Sequence, residues 1–437
     1  MTTIASNFLL FFILFTFISP STAFSHIQPN ALVLPITQDS TTNQYITLIH
    51  QRTPLVPIKL TLDLSGQFLW INCEEHYVSS SYQPIHCNTP QCSITKSKTC
   101  RNCFYFKNPG CNINTCNLYP NNVLTHTNEI GEVSLDVIAV HSTDGSKLGQ
   151  QVTVKNFLFT CGRTNLLKGL ANGVNGMAGF GRSEISLPSL FSSALSFQKK
   201  FAICLSSSKT KSSSVLFFGD GPYVFFPRID VSKFLIFTPL IKNPDNSAGP
   251  FFHGSPAGEY FIGVKGIRIN EKHVSLNTSL LSIGDEGEGG TKISTLNPYT
   301  IMETSIHNAF VDAFAREFED VPKAKAVKPF KLCYKLKDLS VTRVDFVPTV
   351  DFVLQNKDVF WRMFGANSMM KVSCEVYCVA FVDGGVEVTT SIVIGGYQLH
   401  DNLLEFDLEN SRLGFSSSLL FRKTTCANFN FTSIVLN

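Results

Sequence analysis

The sequence predicts a mostly β protein built as two lobes. Its 437 residues exceed the roughly 250 to 300 at which a single hydrophobic core stops growing, so two lobes are expected. The 38 phenylalanines and the short apolar runs separated by Gly, Asn, Ser and Pro favour strands. Because 44% of residues are hydrophobic and only 16% are charged, a disordered chain is excluded. We place the lobes at residues 24–235 and 236–437.

The N-terminal residues 1–23 have the pattern of a secretory signal peptide. Phe8 to Ile18 is apolar apart from Thr16, and small residues that suit cleavage follow Pro20. This apolar stretch is shorter than the roughly 20 residues that a membrane-spanning helix needs, so a membrane anchor is disfavoured. The net charge of +3 excludes a broad nucleic-acid or membrane-surface partner. We therefore expect a soluble, secreted, extracellular protein.

The 13 cysteines of a secreted chain predict disulfides rather than metal ligands. Seven of them lie from Cys73 to Cys116, which indicates a disulfide-stapled insertion in the N-terminal lobe. Cys374 and Cys378 would share a strand face and compete for one partner such as Cys333, and we expect Cys374 to be left over. No metal site and no cofactor are predicted. The cysteines expected in disulfides are Cys73, Cys87, Cys92, Cys100, Cys103, Cys111, Cys116, Cys161, Cys204, Cys333, Cys378 and Cys426.

Two glycosylation sequons support the extracellular assignment. Asn277-Thr-Ser and Asn430-Phe-Thr both fit the acceptor pattern for N-linked glycans in the secretory route. Both asparagines are predicted to be glycosylated.

Helical periodicity is confined to a few segments. The best are Ser186 to Ser196 and His307 to Phe318, and the second carries Phe310 and Phe314 at a spacing of one helical turn. We expect these phenylalanines to belong to the core.

An aspartate turn between two apolar strands is the most informative motif. Residues 60–71 resemble the first active-site loop of pepsin-like aspartic proteases, with Asp63 at the catalytic position. Apolar strands ending in glycine, at Gly173 to Gly181 and at Ser391 to Gly396, look like two copies of the strand that supports such a loop. The resemblance implies a bilobal pepsin-like fold.

The resemblance fails at the catalytic chemistry. Peptide hydrolysis by this fold needs two carboxylates that share a proton, but Ser294 takes the place of the second aspartate. Around Asp63, Leu64 stands at the threonine position and Ser65 at the glycine position, so the hydroxyl by which the loops would grip each other is lost. A non-enzyme is therefore predicted. The acidic residues that could substitute lie in a glycine-rich run that we expect to be solvated: Asp285, Glu286 and Glu288.

The flap that covers the cleft in such proteases is also altered. Pro120 replaces its flexible glycine and stiffens the hairpin, since proline fixes φ. Tyr119 is therefore expected to pack rather than to clamp a substrate.

The chain resembles one plant extracellular family, which includes dermal glycoprotein, glucanase and xylanase inhibitors, and basic seven-S globulins. The resemblance is carried by Asp63-Leu-Ser-Gly, Ser294-Thr-Leu-Asn-Pro-Tyr, the cysteine cluster and the ending Thr424 to Thr432. It implies a defence protein that binds a secreted microbial endo-β-glucanase, of xyloglucanase type, or a xylanase. Two alternatives stay open: an aspartic-type endopeptidase and a seed storage or peptide-binding globulin.

The implied mechanism needs a cation on a rigid loop. Two carboxylates lie roughly 5 Å apart in a retaining glycosidase, and an inserted cationic side chain can pair with both. Arg422 and Lys423 precede Cys426, so a disulfide there would hold them in place. The family's key basic residue aligns with Lys423, and its other inhibitory loop corresponds to the segment around Lys325.

Overall fold

The computed structural model describes residues 29–104, 109–208, 214–244, 258–336, 346–356 and 358–432. The predicted signal peptide lies outside these residues. No helix in the described ranges is long and apolar enough to cross a bilayer.

Strands dominate the first half of the chain. They are β1 (Ala31–Gln38), β2 (Tyr45–Gln51), β3 (Val56–Asp63), β4 (Trp70–Asn72), β5 (Gln83–Pro84), β6 (Cys100–Arg101), β7 (Thr115–Leu118), β8 (Asn121–Asn122), β9 (Thr127–Asn128), β10 (Gly131–Thr143), β11 (Leu148–Gly162), β12 (Gly176–Gly179), β13 (Lys200–Cys204), β14 (Ser214–Gly219), β15 (Val224–Phe225) and β16 (Ile229–Asp230).

The second half is built in the same way. Its strands are β17 (Ile236–Ile241), β18 (Tyr260–Ile262), β19 (Gly266–Ile269), β20 (Lys272–His273), β21 (Thr291–Ile293), β22 (Thr300–Met302), β23 (Lys323–Ala324), β24 (Cys333–Lys335), β25 (Val350–Val353), β26 (Phe360–Met363), β27 (Met369–Ser373), β28 (Val376–Val379), β29 (Phe381–Asp383), β30 (Ile392–Ile394), β31 (Leu403–Asp407) and β32 (Arg412–Phe415).

Helices are few and short in the described ranges. The α-helices are α1 (Pro90–Ile94), α2 (Leu187–Leu195), α3 (Thr304–Glu317), α4 (Gly365–Ser368) and α5 (Gly396–Leu399), and 3-10 helices span Thr164–Leu167, Val231–Phe234, Thr278–Leu281, Leu419–Arg422 and Cys426–Asn428. The mostly β architecture that the sequence predicts is confirmed.

Six strands from both halves of the chain form one continuous sheet between the lobes. Their order is β1-β14-β13-β31-β32-β17, and every neighbouring pair is antiparallel. The central pair joins the halves, with Phe201 opposite Phe406 and their rings stacked at 4.6 Å between centroids. The boundary between residues 235 and 236 stays a prediction; Ile236 is the first residue of β17.

The two glycine-ended strands occupy matching positions, as the repeat in the sequence predicts. Strand β12 runs parallel to β3 and antiparallel to β4, and β30 runs parallel to β21 and antiparallel to β22. The backbones approach closely here, since a Cβ added at Gly179 would lie 2.3 Å from the carbonyl oxygen of Phe68. Each lobe therefore supports one loop with one such strand.

Helix α3 follows the predicted periodicity but starts three residues earlier. Glu303 caps its N-terminus by accepting hydrogen bonds from the backbone of Ser305 and Ile306 at 2.8 and 3.2 Å. Phe310 and Phe314 are fully buried in the main hydrophobic core, as expected from their spacing.

The disulfides fall into three groups. Four of them staple the N-terminal lobe, a fifth joins the chain's middle to its C-terminus, and a sixth ties β24 to β28; Cys374 is free and exposed. The four pairs in the N-terminal lobe are Cys73–Cys161, Cys87–Cys100, Cys92–Cys116 and Cys103–Cys111.

Candidate functional site

Asp63 ends strand β3 and is almost fully buried. Its Oδ1 accepts hydrogen bonds from the backbone N and the hydroxyl of Ser65, at 2.9 and 2.6 Å. Burial raises the pKa of the carboxyl, and the bonds from Ser65 oppose this. Gly66 is required at the turn, since an added Cβ would lie 2.9 Å from both Asp63 Oδ2 and the Gly179 backbone. The Asp63 carboxylate thus stabilises the turn that it begins, through its hydrogen bonds with Ser65.

Ser294 follows strand β21 in the second lobe, in the position that matches Asp63. Its backbone N donates to the carbonyl oxygen of Ile394 at 2.9 Å, in the parallel strand β30. Its hydroxyl oxygen accepts from the backbone N of Leu296 and of Asn297 at 3.1 and 3.4 Å. Ser294 therefore stabilises a turn as Asp63 does, but it supplies no carboxylate.

The two loops keep half of the grip that the sequence predicted to be lost. Thr295 Oγ1 donates to the carbonyl oxygen of Leu62 at 2.8 Å, across the lobes. Leu64 has no hydroxyl to return the bond, and its side chain is buried in the main core. One of the two hydrogen bonds between the loops therefore remains, at Thr295. The other is replaced by burial of the Leu64 side chain.

Two cavities of very different size share the Ser65 side of the cleft. The one lined by Asp63, Phe68 and Trp70 holds only about 20 Å³. The other, of about 420 Å³, contains Ser294, and an ion pair joins two of its lining residues, Lys292 and Glu259, at 2.5 Å between Nζ and Oε1. Motif reasoning missed this pair, because Glu259 precedes a strand and has no local signal.

The acidic residues of the glycine-rich run are placed as expected. Asp285, Glu286 and Glu288 are exposed, and none of them lines either cavity.

The flap also separates Tyr119 from the cleft. Tyr119 lines a different cavity, together with Arg101 and Arg163, whereas the flap residues Asn121 to Asn128 line the larger cleft cavity. Pro120 is buried and accepts a hydrogen bond from the Glu129 backbone at 3.0 Å. The larger cleft cavity is therefore lined by an asparagine-rich flap segment and not by Tyr119.

The C-terminal basic turn, residues 419–426, is anchored from several sides. Lys423 ends a 3-10 helix in a left-handed conformation, with φ +54°, and its backbone N donates to Leu420 O at 3.1 Å. Thr424 Oγ1 donates to Phe226 O at 2.6 Å. Cys426 is bonded to Cys204, and its backbone N donates to Asp401 Oδ1 at 2.9 Å. The chain on both sides of Lys423 is thus fixed to the body of the protein.

Arg422 and Lys423 are both exposed but differ in their surroundings. The guanidinium carbon of Arg422 lies 3.6 Å from the centroid of the Phe234 ring, a cation–π contact. Lys423 makes no ion pair with any described residue. The Lys423 ammonium is therefore without an internal ion pair among these residues, whereas the neighbouring Arg422 guanidinium is positioned by the Phe234 ring.

The second basic loop begins at the small sheet formed by β23, β24, β28 and β27. Lys325 directly follows β23 and is exposed, as is Lys328. The second basic loop thus presents two exposed lysines of its own.

Both predicted glycosylation sites adopt the same local conformation. Asn277 Oδ1 accepts a hydrogen bond from Ser279 N at 3.1 Å, and Asn430 Oδ1 accepts one from Thr432 N at 2.9 Å. Both asparagines are exposed. These bonds use the amide oxygen and not the nitrogen to which a glycan attaches, so glycosylation stays a prediction with compatible geometry.

Comparison with known proteins identifies the family. The model described as "Xylanase inhibitor N-terminal" matches residues 45–220, and "Xylanase inhibitor C-terminal" matches residues 259–417. The chain belongs to the xylanase inhibitor family. Within this family, "Probable aspartic proteinase GIP2" of Nicotiana benthamiana is 55% identical over 423 residues, which cover 96% of each chain.

Solved structures of the xylanase inhibitor family have the same fold. The structure named edgp is 52% identical and superposes with a TM-score of 0.91, covering 93% of this chain and 99% of its own. Conglutin gamma, described as a unique basic 7S globulin from lupine seeds, is 38% identical with a TM-score of 0.82, covering 92% of this chain and 100% of its own. The pepsin-like fold and the predicted family are thus confirmed, and the family includes both inhibitors and globulins.

Proposed function

We propose that this protein is a secreted, proteolytically inactive member of its family that binds and inhibits a microbial cell-wall endoglucanase of the xyloglucanase type. The observation that carries the proposal is the exposed Arg422-Lys423 pair on a turn fixed by the Cys204–Cys426 disulfide. The family's description as xylanase inhibitors supports a glycosidase as the class of partner. The proposed place of action is the plant apoplast, where such enzymes attack the wall.

Inactivity as a protease is part of the proposal. Ser294 cannot share a proton with Asp63, and the Asp63 carboxylate is already engaged by Ser65. The cavity beside Asp63 is only about 20 Å³, room for about one water molecule. These features support a fold whose cleft no longer hydrolyses peptides.

Inhibition then follows from charge and rigidity at Lys423. Its ammonium has no partner among described residues, and so it does not give up an internal ion pair to enter a cleft between two carboxylates. The left-handed backbone at Lys423 is already ordered by Thr424 and Cys426, so binding loses little conformational entropy at the turn. Arg422 supplies a second cation next to it.

The proposal is tested by titrating variants against secreted fungal and oomycete xyloglucanases and xylanases. Lys423→Ala should weaken inhibition by about tenfold or more, and the double variant with Arg422→Ala further still. Lys265→Ala, which removes another exposed lysine outside both basic loops, is the matched control and should inhibit like the wild type. The change in inhibition caused by Lys325→Ala measures the contribution of the second basic loop. Unchanged inhibition in the double variant removes the C-terminal turn from the mechanism.

A storage or peptide-binding globulin is the second candidate. The identity of 38% to a seed globulin and the cleft cavity of about 420 Å³ favour it. Tissue fractionation separates the two functions, because accumulation in seed protein bodies supports storage, whereas pathogen-induced protein in apoplastic fluid supports inhibition.

A further inference from the structure

Large aromatic side chains surround the C-terminal basic turn at the surface. Phe226 is 74% exposed, Phe421 49% and Phe234 40%, and they are three of the six exposed phenylalanines among the described residues. Most of the other described phenylalanines are buried or half-buried. Exposed rings of this kind add little to the stability of the hydrophobic core. Exposed apolar patches of this kind mark interaction surfaces.

These three phenylalanines are connected to the basic turn in different ways. Phe234 lies under the Arg422 guanidinium at 3.6 Å, and Phe421 directly precedes Arg422 in the chain. The Phe421 ring packs edge-to-face on Phe364, with 4.3 Å between centroids. The backbone of Phe226 accepts from Thr424 Oγ1 at 2.6 Å. We name Phe226, Phe234 and Phe421 the aromatic collar; contacts within the chain hold the Phe234 and Phe421 rings before any partner binds.

The composition of this surface matches the energetic centre of a protein interface. Aromatic residues and arginine are enriched where binding energy is concentrated, and an arginine stacked on a ring keeps its charge available while its position is fixed. Phe421 directly precedes Arg422, Phe234 contacts Arg422, and the Phe226 carbonyl binds Thr424 next to Lys423. One surface therefore combines apolar contact area with positive charge.

We propose that the aromatic collar packs against the sugar-binding walls of a glycosidase cleft while Lys423 and Arg422 face its carboxylates. This inference rests on the proposed function and adds the element that determines how long the complex lasts. Glycan clefts bind sugar rings largely through apolar and aromatic faces, which suit phenylalanine rings as substitutes for substrate. A second copy of this chain is a poorer occupant, because a two-fold contact centred on this turn would bring Arg422 and Lys423 close to the same cations of the other copy.

The two components should have separable kinetic effects. Charges give association a salt-dependent component, and a charge that is buried against its partner also slows dissociation. Desolvated apolar anchors act mainly on the dissociation rate. Removal of a collar ring should therefore accelerate dissociation at every salt concentration and leave the salt dependence of association unchanged, whereas removal of Lys423 should reduce that salt dependence and also accelerate dissociation.

The test is a kinetic comparison of Phe421→Ala, Phe226→Ala and Lys423→Ala binding to one inhibited xyloglucanase. Phe104→Ala, which removes a phenylalanine that is 78% exposed in the N-terminal lobe, is the matched control. Both collar variants should dissociate about tenfold faster than the wild type, and the control should not change. Unfolding temperatures equal to the wild type verify that each variant is folded.

The outcomes distinguish the collar from the proposed function. If the wild type inhibits and Lys423→Ala weakens it, but the collar variants dissociate like Phe104→Ala, the inference is wrong and the proposed function stands. If the wild type inhibits no enzyme of the panel, the proposed function fails and the inference fails with it. Wild-type self-association that Phe421→Ala abolishes would assign the collar to a second copy and overturn the inference.

Discussion

Thr295 and Leu62 lie on opposite lobes and are joined by a single hydrogen bond, from Thr295 Oγ1 to the Leu62 carbonyl oxygen at 2.8 Å. The return bond is absent because Leu64 occupies the facing loop and is buried in the main core. The lobes thus keep one contact between the loops, although Ser294 supplies no carboxylate opposite Asp63. A rigid relationship between the lobes serves any function that depends on surface loops held at fixed positions.

Thr295→Val should destabilise the protein by about 1 to 2 kcal/mol, because the Leu62 carbonyl oxygen loses its cross-lobe donor in a buried place. Urea unfolding measures the change. Thr295→Ser keeps the hydroxyl and should recover most of the loss. Equal stability of the valine variant and the wild type would show that the remaining bond does not hold the lobes together.

Asp63→Asn should stabilise the protein at neutral pH and leave it nearly unchanged at acidic pH. Burial raises the pKa of Asp63 in the folded state above its unfolded value. The wild type therefore has its full stability below about pH 4 and loses stability as the pH rises through the folded-state pKa, at about 1.4 kcal/mol per pKa unit. Asparagine does not ionise, so the gap in stability between Asp63→Asn and the wild type should widen as the pH rises.

Thermal unfolding from acidic to neutral pH measures that gap. Asp358→Asn, at an exposed site, is the control and should follow the wild-type curve. A gap that narrows with rising pH would contradict the raised pKa.

Native protein should react with a thiol reagent at one site per chain, because Cys374 is exposed and the other cysteines are paired. Cys374→Ser should abolish the reaction without loss of stability. Labelling followed by peptide mapping locates the thiol. A label on Cys378 would mean that Cys374 is the partner of Cys333.

The double variant Cys204→Ala with Cys426→Ala should lose both stability and inhibition. Removing a disulfide costs about 2 to 4 kcal/mol, and here it also frees the turn that presents Lys423. The pair Cys87→Ala with Cys100→Ala is the control, since it should lower stability but keep inhibitory potency. Equal potency loss in both would indicate a general effect of destabilisation.

Local sequence patterns predicted the regular parts of this structure well. Helix α3 was predicted because Phe310 and Phe314 repeat at the helical period, and both are buried on one face. The paired glycine-ended strands were recognisable because close backbone packing at Gly179 admits no side chain. Both signals lie within a few residues of the feature that they predict.

Local sequence patterns did not predict the contacts between segments that are distant in the chain. Arg422 stacks on Phe234, and Lys292 pairs with Glu259, although neither contact has a periodic or motif signature. The one-sided grip at Thr295 was missed for a related reason, because the sequence shows which hydroxyl Leu64 removes but not which carbonyl Thr295 reaches. Such features depend on how the lobes are placed and become visible only in three dimensions.

The central claim is that this pepsin-like fold inhibits a glycosidase and does not cleave peptides. The most direct measurement titrates the purified protein into a secreted xyloglucanase and assays the same sample for pepstatin-sensitive cleavage of denatured protein at acidic pH. Our account predicts saturable inhibition near one inhibitor per enzyme, with no cleavage. Pepstatin-sensitive cleavage without inhibition would contradict it.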